Sequence, residues 1–213
     1  MKNIKQKYIF DLDGTLLESS FTKENEYFKA NLRSDESKIL ISKKYDLLMK
    51  YEKLFPRYDI NLLSQYFTHE TSINITPDFI DGWLEFNKSN SDDTIIDGVV
   101  ETLEELKRAD KNLVVLTNWV RKTQLGRLKT SGLDIYFDEV YGGDFCFKPN
   151  KEAFLNACGN TPSELCVMIG DDYKKDYLGC IESGIDAIHF DRKDTNPTTT
   201  NSVKSLRKIK ELY

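Results

Sequence analysis

Short apolar runs alternate with amphipathic segments along most of this chain. Such runs predict buried strands, and apolar residues three and four positions apart predict helices. Strands are predicted at Tyr8–Phe10, Asn112–Leu116, Asp138–Tyr141, Leu165–Ile169 and Asp186–Phe190. Helices are predicted at Val99–Ala109, Arg121–Ser131, Asn150–Cys158 and Lys175–Ser183, with a last helix through Val203, Leu206, Ile209 and Leu212. This alternation predicts a mostly parallel sheet with right-handed crossovers.

The long segment between the first strand and Asp97 shows no strand pattern. Thr22–Tyr51 is charged and has apolar residues at helical spacing, and Asp59–Phe67 is a second amphipathic piece. Thr76 and Pro77 form a good helix start, because threonine suits the N-cap and proline the first helical position. We therefore predict an all-helical unit at residues 20–93, inserted into a core made of residues 1–19 and 94–213.

Composition excludes several classes of protein. No window of the 213 residues approaches the roughly 20 apolar residues of a transmembrane helix, and no apolar segment near Met1 is long enough for a signal peptide. We therefore expect a cytoplasmic protein that does not bind membranes. The net charge of −5 argues against a nucleic-acid surface. The four cysteines lack CxxC spacing, so we expect buried thiols, and only two histidines argue against a histidine triad or a zinc site.

Two carboxylates follow the first predicted strand. Asp11 and Asp13 lie two positions apart, so strand alternation sends both to the same side, and Gly14 allows a tight turn after them. At about 4 Å and an effective dielectric of about 20, two like charges repel by roughly 4 kcal/mol. Either a bound cation or a raised pKa on one carboxylate must relieve this repulsion. The alternative is an Asx turn that only closes the strand.

Other polar residues also follow predicted strands: Thr117, Asn118, Lys148, Asp171, Asp172 and Asp176. In a parallel sheet these strand ends share one edge, where ligands bind at the topological switch point. Oxygen-rich ligand sets favour Mg²⁺, and a hydroxyl, an amide and an ammonium can hold an anionic group. A carboxylate beside a metal can attack phosphorus while its neighbour moves the proton. Taken singly, each residue is also compatible with a turn, a solvated charge or a helix N-cap.

Four ordered motifs resemble those of the haloacid dehalogenase superfamily. They are DLDGT at Asp11–Thr15, LTN at Leu116–Asn118, KP at Lys148-Pro149 and GDDYKKD at Gly170–Asp176. The resemblance covers essentially the whole length and is strongest to the phosphatase-like branch with a helical cap inserted after the first strand. It implies a Rossmann-like, doubly wound parallel sheet with an all-helical cap, although the inserted segment carries no motif of its own.

The resemblance also implies roles for the site residues. Asp11 would be the nucleophile and Asp13 the general acid and base, and Mg²⁺ would be held by Asp11, the backbone carbonyl of Asp13 and Asp171. Thr117, with Asn118 beside it, would bind the phosphoryl group. The remaining implied roles are a lysine that steadies the phosphoryl group and the nucleophile, Lys148, and two supporting carboxylates, Asp172 and Asp176.

Two features depart from the pattern of that superfamily. Tyr141–Phe147, the segment before Lys148, is shorter than usual, which leaves open whether the lysine reaches the site. Trp119 stands after the Thr-Asn pair, where smaller residues are common. Its indole can form a wall of the substrate entrance or pack into the core.

The predicted function is a Mg²⁺-dependent phosphatase that hydrolyses small soluble phosphomonoesters through an aspartyl-phosphate, as a monomer or homodimer. A phosphomutase is an alternative, since it differs mainly in retaining its intermediate. Metal-free haloacid dehalogenases lack the acid found here at Asp13. A non-enzymatic binding module is disfavoured because Asp11, Lys148 and Asp171 are also present. The insert is predicted to be a mobile cap that selects the substrate, with hinges near Glu18–Ser20 and Ser89–Asp93.

Overall fold

A computed structural model of the chain describes residues 5–195 and 201–211. Within these ranges the strands are β1 (Lys7–Phe10), β2 (Leu17–Glu18), β3 (Thr94–Ile95), β4 (Asn112–Leu116), β5 (Glu139–Tyr141), β6 (Cys166–Gly170), β7 (Asp186–Phe190) and β8 (Ser202–Val203). Six of them form one parallel sheet in the order β5-β4-β1-β6-β7-β8. The predicted Rossmann-like α/β class is confirmed, with β1 at the centre of the sheet.

Helices flank the sheet and fill the insert. They are α1 (Glu24–Asn31), α2 (Ser34–Leu54), α3 (Ile60–Thr71), α4 (Pro77–Ser89), α5 (Val99–Arg108), α6 (Arg121–Ser131), α7 (Lys151–Cys158) and α8 (Gly179–Glu182). Phe10 packs on one face of the sheet with Leu103 of α5, whereas Ile9 packs on the other face with Phe154 of α7. Alternate side chains of β1 therefore pack into two apolar layers, one on each face of the sheet, as a buried parallel strand requires.

The insert between β2 and β3 has a core of its own. Phe28, Trp83 and Leu84 are buried together, and Val120 and Phe147 from outside the insert join them. The side chain of Thr76 caps α4 by accepting a hydrogen bond from the backbone N–H of Phe79 (3.1 Å), as predicted. The division of the chain at residues 19/20 and 93/94 stays a prediction.

Three segments differ from the expected elements. Thr22–Tyr51 is two helices, because Leu32 is extended and the Glu36 side chain accepts from the backbone N–H of Arg33 (3.1 Å), which starts α2. Instead of one helix at Lys175–Ser183, a π-helical turn at Tyr173–Leu178 precedes α8. The predicted last helix is shorter, since Val203 lies in β8, a 3₁₀ helix covers Leu206–Glu211, and Leu212 lies outside the described residues.

A two-stranded antiparallel ribbon joins the ends of the insert. Leu17 of β2 pairs with Ile95 of β3, and Glu18 pairs with Thr94. Two residues per strand are too few to produce a period in the sequence, so this ribbon was not predicted. It holds both ends of the insert close to the edge of the sheet where β1 ends.

The cysteines and the helix lengths agree with the expectations drawn from composition. Cys146, Cys158, Cys166 and Cys180 are buried free thiols. Along the described part of the chain, no helix has both the length and the apolar character needed to cross a membrane.

Candidate active site

The parallel sheet brings the predicted polar residues to its carboxyl edge. The backbone N–H of Asp11 donates to the carbonyl of Ile169 (2.9 Å), so β1 stays paired with β6 up to the first candidate residue. Thr117 follows β4 in the same way and donates to the carbonyl of Tyr141 (3.0 Å). Asp171 follows β6 directly. Topology alone therefore gathers side chains that are far apart in the sequence.

Lys148 reaches this edge and contacts two carboxylates. Its Nζ lies 2.6 Å from Asp11 Oδ1 and 2.6 Å from Asp176 Oδ1, and all three side chains are buried. Burial alone would lower the pKa of Lys148, but the two carboxylates more than offset this effect, so the net change is a raised pKa. The ammonium therefore stays charged. The lysine therefore reaches the site although the Tyr141–Phe147 segment is short.

Asn118 holds the backbone of Lys148. Its Oδ1 accepts from the Lys148 N–H (2.8 Å), and its Nδ2 donates to the Lys148 carbonyl (3.0 Å) and to Glu52 Oε2 (3.1 Å). Both N–H groups of the amide are therefore occupied. The expectation that Asn118 contacts a substrate anion does not match this arrangement, because its donors already face protein oxygens.

A third carboxylate, Asp171, lies close to the two that bind this ammonium. Asp11, Asp171 and Asp176 each place one oxygen within 4.8 Å of the others. Burial, reinforced by the charge of Asp176 and partly offset by Lys148, raises the pKa of Asp11 to about 7. Burial and the charge of Asp11 raise the pKa of Asp171 to about 6. A divalent cation would neutralise the two excess negative charges, and carboxylate oxygens are ligands that Mg²⁺ prefers.

Asp11 and Asp171 are the carboxylates best placed to hold such a cation. Both oxygens of Asp176 already accept hydrogen bonds, from Lys148 Nζ (2.6 Å) and from the backbone N–H of Asp172 (3.1 Å). Gly14 has a φ of +81°, and a Cβ there would collide with the Asp171 carboxylate. The tight turn after Asp13 is therefore open only to glycine, and it lets β1 and β6 bring their acids together.

Asp172 has a structural task in this arrangement. Its Oδ1 accepts from the backbone N–H groups of Lys174 and Lys175 (both 2.9 Å), so it caps the π-helical turn. This π-helical turn places the Asp176 side chain against Lys148 Nζ.

Asp13 lies apart from the acidic cluster and has its own partners. Gln124 Nε2 donates to Asp13 Oδ2 (2.9 Å), and Arg127 Nη1 lies 2.7 Å from Asp13 Oδ1. The buried Arg127 also binds Asp93 (2.6 Å), and Gln124 Nε2 donates to Thr117 Oγ1 (2.9 Å). Our sequence analysis missed both α6 residues. The available signal was two polar side chains one turn apart in the helix that directly follows Thr117.

A cavity of about 330 Å³ lies between the sheet edge and the insert. All eight predicted site residues line it, together with Phe21, Glu24, Tyr45, Leu48, Glu52, Trp83, Asn87, Trp119 and Lys175. Trp119 both lines the cavity and packs, because its ring centroid lies 5.5 Å from that of Trp83 and 5.0 Å from that of Tyr58. Trp119 therefore packs against the insert and also lines the cavity, and its role at a substrate entrance stays a prediction.

The sequence of this chain is similar to those of known hydrolases over most of its length. The family model for haloacid dehalogenase-like hydrolases matches residues 8–184. Pyrophosphatase PpaX from Listeria monocytogenes is 30% identical over 178 residues, which cover 78% of this chain and 74% of that protein.

Solved structures show the same fold at lower identity. A 2-haloacid dehalogenase from Pseudomonas syringae pv. tomato superposes with a TM-score of 0.72 at 19% identity, covering 98% of both chains. A predicted phosphoglycolate phosphatase from Haemophilus somnus superposes with a TM-score of 0.68 at 20% identity, covering 100% of this chain and 99% of that one.

The raised pKa values predict how the stability of the metal-free protein depends on pH. Between about pH 4 and pH 7 the folded state binds more protons at Asp11 and Asp171 than the unfolded chain does, so the free energy of unfolding falls as pH rises. Asp171→Asn removes one of these titrations, and its stability should fall less over this window. Urea unfolding in chelator at pH 5, 6 and 7.5 measures the difference, with the exposed Asp110→Asn as control.

Mg²⁺ gives a second measurement on the same proteins. It should raise the melting temperature of the wild type more at pH 7.5 than at pH 5, and less in Asp171→Asn, because the cation replaces the protons. Equal pH dependence in the wild type and in Asp171→Asn would contradict the electrostatic account.

Proposed function

This chain belongs to the haloacid dehalogenase-like hydrolases and is an enzyme, and we propose that it is a Mg²⁺-dependent phosphatase of small phosphomonoesters. The observation that carries the proposal is the buried Asp11 carboxylate, bound to Lys148 beside Asp171, with a second carboxylate, Asp13, at the same cavity. The relative named as a pyrophosphatase supports hydrolysis at phosphorus. The substrates we propose are small, since the cavity measures about 330 Å³ and insert residues such as Phe21 and Glu24 line it.

In the proposed reaction, Asp11 forms the bond to phosphorus and Asp13 transfers the protons. A carboxylate oxygen of Asp11 attacks phosphorus, the bond from phosphorus to the ester oxygen breaks, and Asp13 gives its proton to that oxygen. A water molecule then attacks the phosphorus of the aspartyl-phosphate while Asp13 takes a proton from the water. Asp11 leaves as a carboxylate, and inorganic phosphate is released.

The neighbouring groups hold the phosphoryl group and the nucleophile. Lys148 fixes the orientation of Asp11 and offsets negative charge, and Thr117 contacts a phosphoryl oxygen. Asp11, Asp171 and the backbone carbonyl of Asp13 would hold Mg²⁺. When bound, this ion supplies positive charge that offsets the charge of the phosphate and stabilises the transition state.

The other predicted residues have positioning roles in this proposal. Asn118 fixes the backbone of Lys148, Asp176 shares its ammonium, and Asp172 caps the turn that carries Asp176. Residues 20–93 act as the cap, which opens and closes about the ribbon of β2 and β3. The basis for this role is that Phe21, Glu24 and Trp83 line the wall of the cavity opposite the nucleophile.

The nucleophile is tested with Asp11→Asn, which keeps the shape of the side chain and removes its reactive oxygen. Turnover of any phosphomonoester substrate should fall by several orders of magnitude, because no covalent intermediate forms. Rapid acid quench of the wild type with labelled substrate should place phosphate on Asp11. Asp110→Asn, an exposed site, is the matched control. A phosphoryl group on another residue would overturn the assignment.

Proton transfer by Asp13 predicts a dependence on the leaving group. Asp13→Asn should lower turnover of alkyl phosphates by about 10²–10⁴-fold. With an activated aryl phosphate the first step should lose less, and the phosphoenzyme should accumulate because no base activates water. Asp93→Asn, which removes the other carboxylate partner of Arg127, should leave this dependence unchanged. Equal losses on both substrates in Asp13→Asn, without trapped phosphate, would assign Asp13 a structural role only.

The metal requirement is tested by chelation and replacement. Excess chelator should abolish turnover, because Asp11 and Asp171 then repel a phosphate dianion. Mg²⁺ should restore it, whereas Ca²⁺ should do so poorly because its looser coordination misplaces the attacking oxygen. Full turnover in excess chelator would contradict the proposal and favour metal-free chemistry.

A further inference from the structure

The wall that the insert contributes to the cavity contains no cation. Its lining residues are Phe21, Glu24, Tyr45, Leu48, Glu52, Trp83 and Asn87. Two of these are carboxylates, and the others are aromatic, apolar or amide side chains. Since Asp11 lies at the opposite edge, this wall faces the part of a substrate that leaves with the ester oxygen.

Each carboxylate of the wall already has its partners. Glu24 is buried in an ion pair with Lys44 and also accepts from Trp83 Nε1 (2.8 Å) and Asn87 Nδ2 (3.0 Å). Because a buried ion pair is strongly destabilised when one partner is withdrawn, Lys44 is not available to a substrate anion.

Glu52 is engaged from three sides. It accepts from Lys175 Nζ (2.8 Å), from Asn118 Nδ2 (3.1 Å) and from the Tyr58 hydroxyl (3.0 Å). Lys175 is thereby neutralised at the rim where the insert meets the core. A substrate that recruited Lys175 would have to break this pair.

The core side of the cavity offers no additional free cation either. Among the described lining residues are seven carboxylates and two ammonium groups, those of Lys148 and Lys175. Lys148 is bound by Asp11 and Asp176. Arg127 is absent from the lining and pairs with Asp13 and Asp93. A metal ion and the transferred phosphoryl group would leave no positive charge for a second anion.

Tyr45 lies at this wall over the ion pair of Lys44 with Glu24, and Lys44 Nζ is 4.9 Å from its ring centroid. Burial, together with the charges of Glu24, Asp92 and Asp13, raises the pKa of Tyr45 to about 12. The phenolate is disfavoured there first because burial penalises a charge, and second because the neighbouring carboxylates repel an additional negative charge.

We infer that the enzyme acts on phosphomonoesters of uncharged alcohols and discriminates against substrates whose leaving group carries a second anion. Trp119 and Phe21, which are both partly exposed at the cavity, present apolar ring surface that suits the face of a sugar or a base. Inorganic pyrophosphate and phosphoglycolate are therefore poor substrates, although the relative considered above is named as a pyrophosphatase. This inference rests on the proposed phosphatase function.

The test compares two esters of nearly equal size, 2-hydroxyethyl phosphate and 2-phosphoglycolate, with pyrophosphate as a third substrate. In Mg²⁺, kcat/KM for 2-hydroxyethyl phosphate should exceed that for each of the other two by about tenfold or more, because a second anion finds no free cation. Equal or higher kcat/KM for phosphoglycolate or pyrophosphate would overturn the inference and leave the phosphatase proposal intact.

Two variants locate the discrimination at the insert wall. Tyr45 is half exposed, so Tyr45→Arg adds a cation to this wall without opening the apolar core. It should shift the preference toward phosphoglycolate by about tenfold, chiefly through a lower KM. Tyr45→Gln removes the ring without adding charge and should keep the wild-type preference. An unchanged preference in Tyr45→Arg, or an equal shift in both variants, would show that charge at this wall does not select the leaving group.

Equilibrium binding separates this inference from the proposed function. If neither ester is hydrolysed, the phosphatase proposal fails, and calorimetry of both esters with the intact protein in Mg²⁺ still tests selection. Tighter binding of 2-hydroxyethyl phosphate supports the inference. Equal or tighter binding of 2-phosphoglycolate overturns it.

Discussion

One ammonium group between two buried carboxylates is the constraint on which the site depends. Lys148 Nζ lies 2.6 Å from an oxygen of Asp11 and 2.6 Å from an oxygen of Asp176. A buried carboxylate is tolerated only when it is paired, so Lys148 permits an acid at the end of the central strand. Because Asp176 shares the same ammonium, Asp11 is not fully neutralised. The remaining negative charge, increased by Asp171, would be offset by a bound cation and leaves a carboxylate oxygen at the cavity, as the proposed nucleophile requires.

The position of this lysine is tied to the insert through one intermediate residue. Glu52 of α2 accepts from Asn118, and Asn118 holds the backbone of Lys148 on both sides. A parallel chain of contacts reaches the other reacting carboxylate, since Arg127 joins Asp93, next to β3, to Asp13. The first chain reaches Asp11 through Lys148, and the second reaches Asp13, so both end at a carboxylate of the proposed reaction. The orientation of the insert and the geometry of the reacting acids are therefore mechanically linked.

Much of the core site could be predicted because topology determines where strands end. Asp11, Thr117 and Asp171 follow buried apolar runs, and a parallel sheet sends those ends to one edge whatever the loops do. The roles of Asn118, Gln124 and Arg127 could not be predicted in this way. The amide of Asn118 can face a substrate or a neighbouring backbone with the same sequence. Gln124 and Arg127 lie on the buried side of a helix with little apolar periodicity, so only the packing of α6 reveals which side faces Asp13.

The insert was predictable as helical but not in detail, for similar physical reasons. The break between α1 and α2 contains neither proline nor glycine and depends on Glu36 reaching back to the Arg33 backbone. The strands β2 and β3 exist because they pair with each other, and two residues have no period of their own. Ion pairs such as that of Glu24 with Lys44 join helices whose packing a linear pattern does not specify.

The core, where the site could be predicted, carries the groups of the proposed chemistry. The insert, whose packing could not be predicted, carries the groups of the proposed selectivity. The core brings the groups of the proposed reaction together because the strand order places them at one edge of the sheet. The wall opposite is built from helices, whose buried carboxylates had to be paired for the insert to be stable. Glu24 and Glu52 pair with Lys44 and Lys175, and our inference about the leaving group rests on these pairs. Resemblance in the core therefore bears on the proposed chemistry, whereas the proposed selectivity depends on the charges of the insert.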